Sequence, residues 1–91
     1  MYELFIHRRV KKQIKKIPNY RQEKIMEFFL VLSKNPFANQ FQIKKIDDTP
    51  LTFRCRIGKF RIIYVIEKNK KKIYIRRIEH RQWDYKKMLS F

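Results

Sequence analysis

From Thr52 to Tyr64 the chain reads TFRCRIGKFRIIY, and apolar residues there alternate with polar ones at a period of two. That alternation is the pattern of half-buried strands. Ile57-Gly58-Lys59-Phe60 at its middle fits a two-residue hairpin loop with glycine at the first central position, a type II′ turn. The turn sets a register in which Ile57 opposes Phe60, Arg56 opposes Arg61, Cys55 opposes Ile62, Arg54 opposes Ile63 and Phe53 opposes Tyr64. Phe53, Cys55, Ile57, Phe60, Ile62 and Tyr64 then share a buried face. Arg54, Arg56 and Arg61 share the other. Like charges directly opposite one another destabilise a sheet, so three arginines gathered this way point to an anion bound among them.

The rest of the pattern surrounds that hairpin. Tyr2 to His7 alternates as a first strand, with Tyr2, Leu4 and Ile6 on one side and Glu3 and Phe5 on the other. From Arg8 the period becomes helical: Val10, Ile14 and Ile17 recur among lysines, and Pro18 ends the segment. Asn19 followed by Gln22 reads as a capping box opening a second helix. Ile25, Phe28, Phe29 and Leu32 form its apolar stripe, and Asn35-Pro36 stops it. Residues 37 to 50 read as irregular and carry Lys44 and Lys45.

A second turn around Lys68-Asn69-Lys70 leads into a last strand from Lys72 to Ile78. With Asn69-Lys70 as the turn, Ile66 opposes Ile73, Tyr64 opposes Ile75 and Ile63 opposes Arg76. Tyr74 and Arg76 then join the arginine face, while Arg77 falls on the apolar side, a place this register explains poorly. His80 to Phe91 reads as a short C-terminal helix or tail. The expected fold is α+β, one domain over residues 1–91. Its small, antiparallel-rich sheet has about four strands in the order β-α-α-β-β-β, with an N-terminal helical hairpin packed on one face.

Composition changes this picture in one respect. The 91 residues hold 24 Lys and Arg against 8 Asp and Glu, a formal charge of +16. Eight Phe, five Tyr and a hydrophobic fraction of 44% argue for a folded core rather than a disordered basic tail. So large a positive charge points to a polyanionic partner, RNA or DNA first; an anionic membrane surface or an acidic protein satisfies the same arithmetic. No apolar run approaches the ~20 residues needed to span a bilayer, and the N-terminus is no signal peptide. The single cysteine, Cys55, falls on the core face and suits a reducing cytoplasm.

Candidate chemistry is concentrated in two places. Guanidinium groups bind phosphate in a planar fork that lysine does not copy, which sets Arg54, Arg56 and Arg61 apart from the solvated lysine run at residues 68 to 72. The second cluster is His80-Arg81-Gln82-Trp83-Asp84-Tyr85, placed to fold over the rim of the basic face. There Tyr85 offers a phenol for proton transfer or a ring for stacking a base. One Cys and two separated His make a zinc site unfavourable, and a chain with one Gly has no Gly-rich phosphate loop. The acidic residues form no two-metal pattern, although Asp47 and Asp48 are adjacent. No metal or cofactor is expected, so any nuclease here would be metal-independent.

The order strand, two helices and three strands, closing on RIGKFRIIY and HRQWDY, resembles the RelE/ParE toxin superfamily of toxin–antitoxin systems. The family's R-x-R-[VI]-G-x-[YF]-R-[VI]-[IV]-Y string is met by Arg54 through Tyr64, and its H-R-x-x-x-Y ending by His80, Arg81 and Tyr85. The resemblance implies a cytoplasmic toxin that enters the ribosomal A site and cleaves mRNA by attack of a ribose 2′-hydroxyl on the adjacent phosphate. It also implies a cognate antitoxin, acidic or amphipathic, as partner. Carried over by position, Arg54, Arg56, Arg61, Arg81 and Tyr85 form the catalytic set, with Lys44, Lys45, Tyr74, Arg76 and His80 around the RNA. Lys44 resembles the basic residue of the family's L-[KR]-G loop, with Lys45 in place of its Gly. Well-studied members carry lysine where Arg54 and Arg56 stand. Arginine does not give up its proton, so proton transfer falls to Tyr85 or Lys44. The alternatives are a ParE-like inhibitor of DNA gyrase and a catalytically weak nucleic-acid-binding homologue.

Overall fold

A computed structural model describes residues 1–37, 41–46 and 51–80. Their elements are β1 (Glu3–Ile6), α1 (Arg8–Ile14), α2 (Asn19–Lys34), β2 (Gln42–Lys45), β3 (Thr52–Ile57), β4 (Phe60–Glu67) and β5 (Lys72–His80). Five strands form one sheet in the order β1-β5-β4-β3-β2. β1 runs parallel to β5, and every other neighbouring pair is antiparallel. The β3–β4 register is the one expected from the turn, from Ile57 opposite Phe60 to Phe53 opposite Tyr64. Gly58 has a φ of +60°, as the first central residue of a type II′ turn requires.

Both helices cover one face of the sheet. Val10, Ile17, Ile25, Phe28 and Leu32 meet Cys55, Ile62, Tyr64, Ile66, Ile73, Ile75 and Ile78 in a single core. Phe28 packs edge-on to Tyr64, with ring centroids 5.6 Å apart, and to Phe41 at 5.0 Å. α1 starts at His7, whose Nδ1 accepts from the Arg9 amide at 3.0 Å. The capping box expected at Asn19 and Gln22 does not form. The N-cap is Pro18, which has no side-chain acceptor, and Asn19 is already helical. Gln22 turns back instead, and its Nε2 donates to the carbonyls of Ile14 and Ile17 at 2.9 and 2.8 Å. These carbonyls lie at and just beyond the end of α1, so one side chain ties the two helices together.

Three further expectations are corrected. The stretch expected to be irregular contains β2, in which Ile43 faces the core side opposite Cys55 while Gln42 and Lys44 oppose Arg56 and Arg54. It is a four-residue edge strand, too short to show its period. The second hairpin closes at Glu67 opposite Lys72, so four residues, Lys68 to Lys71, connect the strands, with Lys71 at a φ of 53°. The third correction lies in β5. Ile66 opposes Ile73 and Tyr64 opposes Ile75 as expected, but an irregularity between Ile63 and Tyr64 leaves Arg76 unmatched, and Ile63 opposes Arg77. This β-bulge resets the alternation. Ile73, Ile75 and Ile78 all reach the core, two exposed arginines bulge between the last two, and the strand continues to His80 rather than ending at Ile78.

Gln13 holds the bulged segment. β1 accompanies β5 only as far as Ile75. Beyond it, Gln13 Nε2 donates to the Ile78 carbonyl and the Ile78 amide donates to Gln13 Oε1, both at 2.8 Å. A side-chain amide thus stands in for the missing strand. Gln13→Leu strands both backbone groups in a half-buried place, and stability should fall by about 1–3 kcal/mol in denaturant unfolding. Burial also marks Cys55, which is fully enclosed and whose thiol is pushed up to about 12 from 9.0 by desolvation. The folded protein then keeps a proton that the unfolded chain sheds above pH 9, so this contribution is full below pH 9 and lost as pH climbs toward 12. Cys55→Ala should flatten the alkaline loss of stability by up to about 1.4 kcal/mol per pH unit.

Candidate nucleic-acid interface

Alternation along each strand, combined with the registers, resolves the uncovered face of the sheet into rows running across it. One row is Gln42, Arg56, Arg61 and Glu79, contributed by β2, β3, β4 and β5 in turn. The next is Lys44, Arg54, Ile63 and Arg77. A third runs from Thr52 through Val65 and Tyr74 to Phe5. The first two rows hold five cations and one carboxylate.

Gln42, Lys44, Arg54, Arg56 and Arg61 line a shallow cavity of about 110 Å³. Arg56 is oriented by its own turn, its Nε donating to the Gly58 carbonyl at 3.2 Å. Arg54 is half-buried, Arg56 and Arg61 are exposed, and among the described residues none of the three has a carboxylate partner. Arg77 differs, because its Nε donates to Glu79 at 2.8 Å. Guanidinium planes with free donors around a cavity of this size suit a tetrahedral oxyanion such as phosphate. Lys44 is the lining residue able to pass a proton, since arginine remains protonated.

The other expected site residues divide. Lys44, placed by sequence in a loop, lies on β2 beside Arg54 and joins the cavity. Lys45 alternates to the opposite side. Tyr74 is on the uncovered face two rows from Arg61, stacked on Phe5 with centroids 5.3 Å apart, and its hydroxyl reaches Glu67 at 3.5 Å. Arg76 sits in the bulge, and Arg77 takes the place in the row expected of it. His80 ends β5 opposite Phe60, its ring 4.9 Å from that phenyl. Arg81 and Tyr85 lie outside the described residues. Sequence reasoning missed Gln42, Arg77 and Glu79. The isoleucine spacing of two and then three residues at Ile73, Ile75 and Ile78 was the available signal for the last two.

A profile of the ParE toxin of type II toxin–antitoxin systems (parDE) matches residues 4–85. The chain belongs to the RelE/ParE toxin superfamily. It is 36% identical over 86 residues to the "Putative toxin RelE1" of Methanocaldococcus jannaschii, covering 93% of this chain and 96% of that one. The RelE–RelB complex from Pyrococcus horikoshii contains a chain that matches with a TM-score of 0.80 at 28% identity, over 88% of this chain and 94% of that one. The isolated E. coli RelE toxin matches with a TM-score of 0.73 over 99% and 97%, and at 15% identity this is a likeness of fold alone. The protein is therefore a type II toxin with a RelE-like fold.

Within this toxin the pairing of Arg56 with Arg61 is a liability to folding. Removing one member should relieve it. Arg61 also opposes Glu79, whereas the other neighbour of Arg56 is the neutral Gln42, so Arg56→Thr should raise stability at low ionic strength by about 0.2–1 kcal/mol. In thermal melts the gain should shrink as salt is added.

Proposed function

We propose that this toxin is a ribosome-dependent mRNA endoribonuclease acting in the cytoplasm. The observation that carries the reading is the cavity in which Lys44 and three arginines without carboxylate partners among the described residues converge. In the proposed reaction the ribose 2′-oxygen attacks the adjacent phosphorus, forming a new P–O bond as the bond to the 5′-oxygen breaks. The 2′-hydroxyl proton passes to a base, and the leaving 5′-oxygen takes up a proton. The products are a 2′,3′-cyclic phosphate and a 5′-hydroxyl. Extra negative charge gathers on the non-bridging oxygens in the transition state, where fixed guanidinium donors stabilise it most. The step needs no metal. Lys44 and Tyr85 are the candidates for proton transfer, with Arg54, Arg56, Arg61 and Arg81 holding the phosphate.

The proposed protein partner is an antitoxin with an acidic or amphipathic segment, laid over the basic rows until the toxin is released. The solved Pyrococcus horikoshii complex pairs RelE with RelB. A second reading has support of its own, because the matching family profile is that of ParE. On that reading the same surface would engage DNA gyrase and no RNA would be cut.

Primer extension on cellular mRNA after induced expression separates the two. Cuts in frame within translated codons are expected, and Arg61→Ala should weaken them by about 10²-fold. Lys44→Arg keeps the charge but removes a group that can give up its proton and act as a base. If Lys44 is the base, this variant should be as inactive as Lys44→Ala; if it supplies only charge, cutting should survive. Intact transcripts together with induction of DNA damage would favour gyrase.

A further inference from the structure

The cationic lining does not stop at the edge of the sheet. Gln42 and Arg56, which line the 110 Å³ cavity, also line a second one of about 460 Å³ between β2, the β3–β4 turn and α2. Its remaining walls include Arg21, Lys24, Phe41 and Gly58. Arg21 lies half-buried against the turn, so close that a Cβ on Gly58 would come within 2.5 Å of its guanidinium carbon. That guanidinium also lies over the face of the Tyr20 ring at 5.1 Å, and it has no carboxylate partner among the described residues. Lys24 stands over the Phe41 ring at 5.5 Å and reaches Glu27 at 3.5 Å, an exposed ion pair of the kind that contributes little.

Gly58 therefore organises two arginines at once. Its carbonyl accepts from Arg56, and its bare Cα leaves room for Arg21. The reading of the sheet cavity as the place of the scissile phosphate gives this second cavity a meaning. We propose that the groove between α2 and the β3–β4 turn is a second phosphate site, which holds the backbone of the same RNA strand beyond the cleaved linkage. Arg21 and Lys24 bind the phosphate, and Arg56 bridges the two cavities. Nucleic acid fits better than an acidic peptide because phosphates recur at every nucleotide along a continuous track. The groove also adds an aromatic wall, Phe41, to its cations, the combination that single-stranded nucleic acid selects.

This inference rests on the endoribonuclease reading, and length dependence tells the two apart. The probes are uncleavable 2′-O-methyl RNA strands, a dinucleotide and an oligomer of about eight nucleotides. Their binding to the whole toxin is followed by fluorescence anisotropy across a salt series. The octamer should bind Arg21→Gln/Lys24→Gln about tenfold more weakly than wild type, and its salt slope should fall by about 0.7 for each phosphate that is no longer neutralised. The dinucleotide should not distinguish the two proteins, and Arg21→Lys should recover part of the octamer affinity. Lys11→Gln/Lys12→Gln on α1 removes the same charge elsewhere and controls for net charge alone. An octamer slope unchanged in Arg21→Gln/Lys24→Gln, while Arg61→Gln weakens both probes, overturns the second site and leaves the first. Equal losses from the α1 control overturn it too, as does an acidic antitoxin peptide that needs Arg21 where RNA does not. If neither probe binds wild type, the second site falls, while the ribosome-dependent reading is decided by the primer-extension result.

Discussion

At Gly58 the backbone takes a φ of +60°, and the separation of the two faces of the sheet depends on that turn. A type II′ turn places Arg56 opposite Arg61 and Cys55 opposite Ile62. Side chains on a strand alternate with period two, so a slip of one residue would exchange the faces. Three guanidinium groups would then be driven under α2, and Cys55 and Ile62 would be left in water. The desolvation cost of that alternative is far larger than the repulsion between Arg56 and Arg61 in solvent. The basic surface is thus the remainder left by a core that has one acceptable register, and the turn both sets that register and carries the Arg56 hydrogen bond.

β5 uses a different device for the same end. Its first half is locked between β4 and β1, but β1 has only four residues and stops opposite Ile75. A strand continuing past that point with unbroken alternation would put Arg77 into the core and Ile78 into water. The bulge resets the phase, and Gln13 supplies the two hydrogen bonds that a longer β1 would have made. Arg77 and Glu79 thereby come into the rows that hold Arg54 and Arg61. α1 shapes the basic face in this way from behind, since Gln13 lies on the far side of the sheet.

What could be read from sequence tracks how strongly burial constrains each segment. The β3–β4 hairpin was legible to the residue because six core positions and one glycine all select the same register. The apolar stripe of α2 was legible for the same reason, with Ile25, Phe28, Phe29 and Leu32 all buried. β2 was not, because an edge strand of four residues shows one half-buried isoleucine and otherwise exposed side chains. The role of Gln22 was misread because its partners are carbonyls of the preceding helix, a contact made by tertiary structure rather than local sequence. In the candidate site, arginines on the hairpin could be placed before the fold was known. Lys44 was reached only through the family resemblance, and its place beside Arg54 became visible once β2 was seen to pair with β3; Arg77 joined only once the bulge was seen.

Electrostatics links the state of this surface to the stability of the chain. The paired and neighbouring cations of the first two rows repel one another in the free protein, and a bound polyanion removes that repulsion while gaining contacts of its own. A ligand that binds only the folded state stabilises it in proportion to the logarithm of its concentration relative to Kd. Any polyanion seated on the rows, whether RNA or an acidic protein segment, should therefore act on folding as well as on function. The same competition makes the two classes of ligand mutually exclusive on this face: a segment that neutralises Arg54, Arg56 and Arg61 occupies the donors a phosphate would need.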